Sequence, residues 1–273
     1  MARQWMMACV LLAAGGMAQA RAEREDGWSI DVPECARPIE RVPGLPLYDA
    51  QARAEYAVNP AAQMKPDYSN MPAHLKIDLA PCYGDDGAFD AALRILPVDP
   101  YLRIMAPADR ADPYMEEAFS DLRHWIRNAD PHPGDWPMVP YLDMSPMYTA
   151  GQKRLAFGGG RGKRVVTQFV NDVDFARSRQ ISYVFQGLSA DNQHFVLLTV
   201  PLTVEGLAER DAQTHLDFTM DALDQNLALR DEYGKAIAKH LREKAASIRP
   251  ALEELDRIVM GIRRTAPPSR RAR

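Results

Sequence analysis

The chain has 273 residues, 47% hydrophobic and 26% charged, with a formal net charge of -4. This supports a real core under a soluble surface, sized for one large domain or two small ones. It excludes a general electrostatic attraction to nucleic acid, so no nucleic-acid partner is expected.

Residues 1–20 read as a cleavable signal peptide. Arg3 is their only charge, Trp5 to Met17 is apolar or small, and Ala18-Gln19-Ala20 supplies the small residues of a cleavage site after Ala20. The apolar run falls short of the roughly 20 residues a membrane helix needs, although an uncleaved anchor is the alternative. Cys9 precedes the apolar centre, which argues against a lipid-attachment site. The expected location is the periplasm or the exterior, with no stable membrane span after cleavage. Cys35 and Cys82 are then an even pair in an oxidising compartment. A disulfide between them would pin the N-terminal segment to the domain and contribute about 3–4 kcal/mol; two unpaired thiols are the alternative.

Residues 21–72 form an irregular, proline-rich lead-in, since Pro33, Pro38, Pro43, Pro46, Pro60, Pro66 and Pro72 break any long helix. One short strand is expected near 54–58. A single α+β domain follows over 73–264. Leu75, Ile77 and Leu79 alternate with Lys76 and Asp78, the pattern of a strand with one wet face. Residues 81–87 read as a turn or loop, and 91–96 as a second strand ended by Pro97 and Pro100. Asp112 and Pro113 open the clearest helix, as N-cap and first helical residue. Met115, Ala118, Phe119, Leu122, Trp125 and Ile126 give that helix one apolar stripe.

After a proline-punctuated connection over 137–146, two hairpins are expected. The first turns at Gly158-Gly159-Gly160-Arg161-Gly162 and the second at Ser189-Ala190-Asp191-Asn192-Gln193. Sequential strands with short turns imply an antiparallel sheet. The remainder reads as helical. Tyr233, Ala236, Ile237, His240 and Leu241 mark one face. A later helix from about Pro250 carries Leu252, Leu255, Ile258, Val259 and Ile262. The basic tail over 265–273 reads as disordered.

The order of motifs from about His74 to Ile262 resembles a family of uncharacterised bacterial exported proteins and lipoproteins. The resemblance is carried by Pro137-Met138-Val139-Pro140-Tyr141-Leu142, by Val165-Val166-Thr167-Gln168-Phe169, and by Ile181-Ser182-Tyr183-Val184-Phe185-Gln186-Gly187-Leu188. A late Pro250-Ala251-Leu252-Glu253-Glu254-Leu255-Asp256 completes it. That family implies export but no activity, cofactor or catalytic residue. The sheet-plus-helices order also resembles, at the level of fold alone, a PsbP/Mog1-type sandwich.

No catalytic residue, metal ligand or cofactor is assigned. Gly158-Gly159-Gly160-Arg161-Gly162-Lys163-Arg164 fails as a phosphate loop, because Phe157 stands where its first glycine belongs and Arg164 where a hydroxyl belongs. It reads instead as a cationic hairpin tip whose Arg161, Lys163 and Arg164 could attract an anionic lipid, glycan or partner. Gly187 reads as a bulge, a twisted hairpin end or a point of close approach, with Gln186 able to offer its amide to a ligand. Tyr141 could rim a pocket. His132 between Asp130 and Asp135 lacks the converging donors of a metal site. The leading expectation is a non-catalytic envelope module that binds a small ligand or a protein. One rival is an exported hydrolase assembled from His194, Asp191, His132 and Asp135. The other is an assembly accessory acting through an exposed apolar stripe on the C-terminal helices.

Overall fold

A computed structural model of the chain describes residues 20–44, 58, 71–85, 89–104, 111–128, 137, 139 and 144–265. The signal peptide up to its last residue, the expected strand near 54–58 apart from Val58, and the basic tail beyond Thr265 lie outside the described residues.

The lead-in is not irregular at its start. Strands β1 (Ala20–Glu25) and β2 (Trp28–Pro33) form a hairpin in which Glu25 pairs with Trp28. The two turn residues, Asp26 and Gly27, have φ of 49° and 76°. Asp-Gly suits a two-residue turn that needs positive φ twice, and this signal outweighs the prolines downstream. Trp28, Ile30 and Val32 are buried at 2% exposure or less, so β2 belongs to the core.

A short β3 (Glu40–Val42) leads into the main sheet beside β4 (His74–Asp78). The alternation expected in β4 holds: Leu75 and Ile77 are buried, while Lys76 pairs with Asp90 at 3.0 Å. Instead of a loop, Ala80–Tyr83 forms a single helical turn, α1, with proline in its first turn. Strand β5 (Ala92–Pro97) runs on into α2 (Val98–Leu102), because Pro97 and Pro100 are compatible with a helix start and its first turn.

Helix α3 (Pro113–Arg127) is capped by Asp112, whose carboxylate accepts the amides of Tyr114 at 2.9 Å and Met115 at 3.3 Å. All six stripe residues are buried. Strands β6 (Ser145–Pro146), β7 (Ala150–Phe157), β8 (Gly160–Val170), β9 (Ile181–Ser189) and β10 (His194–Pro201) then complete an antiparallel sheet. Its order is β3-β4-β5-β10-β9-β8-β6, with β7 also paired to β8.

The C-terminal part carries a small hairpin, β11 (Thr214–His215) with β12 (Phe218–Thr219), and then helices α4 (Met220–Gln225), α5 (Leu227–Glu243) and α6 (Leu252–Met260). Ile262 is not on the last helix. The chain leaves α6 at Gly261, and β13 (Ile262–Arg264) pairs with β2 to make a second, three-stranded sheet.

Both faces of the main sheet are covered, and every residue of β9 is buried. One face, through Val165, Val184, Leu188 and Leu197, packs on the stripe of α3. The other, through Val166, Tyr183, Phe185 and Leu198, packs on Ile237, Leu255, Val259 and the β2 side chains. Antiparallel strands with helices on both faces make the protein α+β. The apolar faces of α5 and α6 are thus part of the core. Among the described residues the exposed large hydrophobics are Val58, Leu227 and Met260, which make no continuous stripe.

Candidate functional site

The β7–β8 turn is tighter than its five glycine-rich residues suggest. Phe157 pairs with Gly160, so only Gly158 and Gly159 form the loop, and Gly159 takes φ of +99°. The loop is anchored on both sides. Gly158 donates to the Ile262 carbonyl at 2.7 Å and accepts from the Arg264 amide at 2.9 Å; Gly159 accepts from the Ala190 amide at 2.7 Å.

Because the strand begins at Gly160, the expected cationic tip is divided by the period of two. Only Arg161 remains exposed. Lys163 is 1% exposed: its ammonium lies 4.8 Å from the Trp125 ring centroid and donates to the Asn128 carbonyl just past α3. Arg164 points to the opposite face, where its Nε lies 3.3 Å from Asp256 Oδ1. Lys163 and Arg164 are interior residues, not a tip that greets a partner.

Gln186 and Gly187 are also interior. Gln186 is fully buried and donates its amide to the Val139 carbonyl at 2.5 Å, so that amide is engaged inside the protein. Gly187 is neither bulged nor at a strand end: its pairing with Gly162 on β8 and Val196 on β10 is regular. What approaches it is a ring. A Cβ on Gly187 would sit 2.8 Å from Phe185 Cζ and 3.0 Å from Phe157 Cε1. Tyr141 lies outside the described residues.

Of the four hydrolase candidates, His132 and Asp135 are also outside them. Asp191 and His194 share one hairpin but do not form a relay. Ser189 Oγ donates directly to Asp191 at 2.6 Å and accepts the His194 amide at 2.9 Å. The His194 ring meets Trp28 edge-on at 5.2 Å between centroids. The serine bond and the Arg264 guanidinium hold the Asp191 carboxyl well below the usual carboxylate range. Among the described residues the Ser189 hydroxyl thus gives its proton to a carboxylate rather than to an imidazole. Among the described residues no group of three or more histidine, cysteine or acidic side chains could hold a metal ion. Cys35 and Cys82 are joined in a disulfide that ties the segment after β2 to α1, with Cα atoms 5.3 Å apart.

What the fold does assemble is a cleft of about 550 Å³ between the end of α3 and the two hairpin turns. Ile126 and Leu188 line its apolar part, and Gly159 and Gly160 expose backbone to it. Arg123 and Arg127, one helical turn apart, line it from α3, and Arg161 lines it from β8. Its described lining contains no acidic residue. None of the three guanidinium groups meets a carboxylate among the described residues, whereas Arg37, Arg94, Arg177 and Arg264 each sit on an aspartate.

A helix C-terminus ordinarily repels anions, because its last carbonyls carry a partial negative charge. Here cationic side chains donate to carbonyls in and just past the last turns. Arg127 Nε donates to Arg123 O at 3.0 Å, Arg154 donates to Arg127 O, and Lys163 donates to Asn128 O. These cationic donors offset part of the negative end of the helix dipole beside the cleft. The sequence pointed to Arg161 but missed Arg123 and Arg127. Their signal was two arginines four apart beside the apolar stripe, which on its own describes any solvated helix face.

These features define an α+β protein with an arginine-rimmed cleft. No protein-family model matches the chain, and no curated protein or solved structure matches it at a significant level.

Proposed function

We propose that this chain is an exported, non-catalytic binding protein of the cell envelope, and that the arginine-rimmed cleft takes a small anionic ligand. The carrying observation is the cleft itself: about 550 Å³, with three arginines, an apolar patch and no acid in its described lining. That volume falls in the range of small-molecule sites, which combine apolar walls with a few placed polar groups. Export is supported by the leader over 1–20 and by the motif resemblance to exported proteins. The Cys35–Cys82 disulfide is a bond that persists in oxidising compartments.

Two measurements test this reading. Cell fractionation with N-terminal sequencing should find a chain starting at Arg21 outside the cytoplasm; an intact leader in the cytosol would remove the export half. Calorimetric titration against a panel of small organic anions and cations should show binding of anions alone, weakened by salt.

A further inference from the structure

Resting on that reading, we infer that the group the cleft recognises is a phosphomonoester carried on an apolar body. Three arginines line the cleft from two different elements, Arg123 and Arg127 from α3 and Arg161 from β8. A monocarboxylate brings one charge and two oxygens, which two arginines already saturate. A phosphomonoester brings a charge of about -1.5 to -2 at neutral pH and three strong acceptor oxygens, matching donors that come from both walls.

The arginine is suited to this as lysine is not. Its planar fork can give two parallel hydrogen bonds to one phosphoryl group. Arg127 Nε is already held by the Arg123 carbonyl at 3.0 Å, which fixes the base of the Arg127 head and leaves its two terminal nitrogens for a ligand. Gly159 and Gly160 add no side chains to the opposite wall, so a ligand can lie against backbone. Ile126 and Leu188, 6% and 5% exposed, show only their edges to the cleft, and the exposed Ala190 adds to this apolar surface, which inorganic phosphate would leave unused. The ligand is therefore an amphiphile, whether a lipid with a terminal phosphate or a soluble organic phosphate.

The test uses the purified protein with hexyl phosphate, hexanoate and inorganic phosphate in parallel titrations. Hexyl phosphate should bind about tenfold or more tightly than either of the others, a difference of about 1.4 kcal/mol or more. Arg127→Gln and Arg161→Gln should each weaken it about tenfold, while Arg24→Gln on the exposed face of β1 leaves it unchanged. Thermal melts of all variants should coincide, which separates lost binding from lost folding. Hexanoate binding as tightly as hexyl phosphate overturns the phosphoryl assignment but keeps an anion cleft. Binding of none of the three overturns both readings, and binding indifferent to the two arginine variants moves the site elsewhere and overturns the assignment. Co-sedimentation with phosphatidylcholine vesicles containing phosphatidic acid, competed by hexyl phosphate, supports the proposal with a lipid source. Hexyl phosphate binding without such sedimentation supports it with a soluble one.

Discussion

Arg164 of β8 and Asp256 of α6 face each other in the interior, with Nε 3.3 Å from Oδ1 and exposures of 6% and 1%. The aspartate also accepts from Lys153 at 2.8 Å and from the Tyr183 hydroxyl at 3.1 Å. Burial and the neighbouring carboxylate push the Tyr183 hydroxyl pKa far up, so it stays a donor. This cluster fixes α6 on the sheet. Replacing Asp256 with Ala leaves a buried guanidinium without its counter-charge and should cost about 3–5 kcal/mol in urea unfolding. Asp256→Asn keeps the Tyr183 bond and should cost less. Equal stability of Asp256→Ala and the parent would mean that the cluster contributes nothing.

Two glycines separate steric from conformational strain. A Cβ on Gly162 would lie 2.3 Å from the Gln186 carbonyl oxygen and 2.4 Å from Phe185 Cζ, in a core that cannot move aside. Gly162→Ala should therefore lower stability by about 2–3 kcal/mol. Gly84 has φ of 79° and ψ of 173°, a region essentially reserved for glycine, but a Cβ there would meet nothing within 4 Å, so Gly84→Ala carries backbone strain alone, about 1–3 kcal/mol. Thermal melts of both variants should fall below that of the parent.

The Cys35–Cys82 disulfide closes a loop across a sequence separation of 47. In the chain-entropy account such a loop contributes about 4 kcal/mol. The Cys35→Ser/Cys82→Ser double variant should lose about that much, and a reducing agent should lower the melting temperature of the parent but not of the variant. A parent insensitive to reduction while unfolding would contradict the pairing.

Three histidines set the response to acid. Burial lowers the pKa of His74, His194 and His215 below the ordinary 6.5. Around His215 the hydrogen bonds fix which ring nitrogen carries the proton. The Tyr233 hydroxyl accepts the Ala176 amide at 2.8 Å and donates to His215 Nδ1 at 2.7 Å, leaving the ring proton on Nε2 facing the Gly206 carbonyl at 3.2 Å. A second ring proton would remove the acceptor that Tyr233 uses. The unfolded chain binds protons below pH 6.5 more readily than the folded one, so stability rises with pH in this range. It should be full above 6.5 and decline as the pH falls through the lowered folded values. His215→Gln should flatten part of that decline in melts recorded across the range. A curve that rises on acidification would refute it.

Local signals were legible where one residue type has one physical use. Asp112-Pro113 marked the start of α3, and its stripe marked the buried face. Asp26-Gly27 carried an equally plain turn signal, but it was obscured by the prolines after it, which govern only their own surroundings. The candidate site was half legible. Arg161 could be singled out as a cation near a turn. Lys163 and Arg164 stood beside it in sequence, yet a turn shorter by three residues placed them in a strand, where alternation sent one under α3 and the other to Asp256.

Sequence by itself determined the class of fold, because hydrophobic periodicity of two and of 3.6 specifies which segments can bury a face as strands or helices. It also marked the disulfide as a candidate, through compartment and parity. Only the tertiary structure decided which cations are surface and which are interior, that β13 closes a second sheet on β2, and that Arg123, Arg127 and Arg161 border one cleft. Those facts depend on the register of β8 against β9 and on where α3 crosses them, and neither is written in any local stretch of the chain.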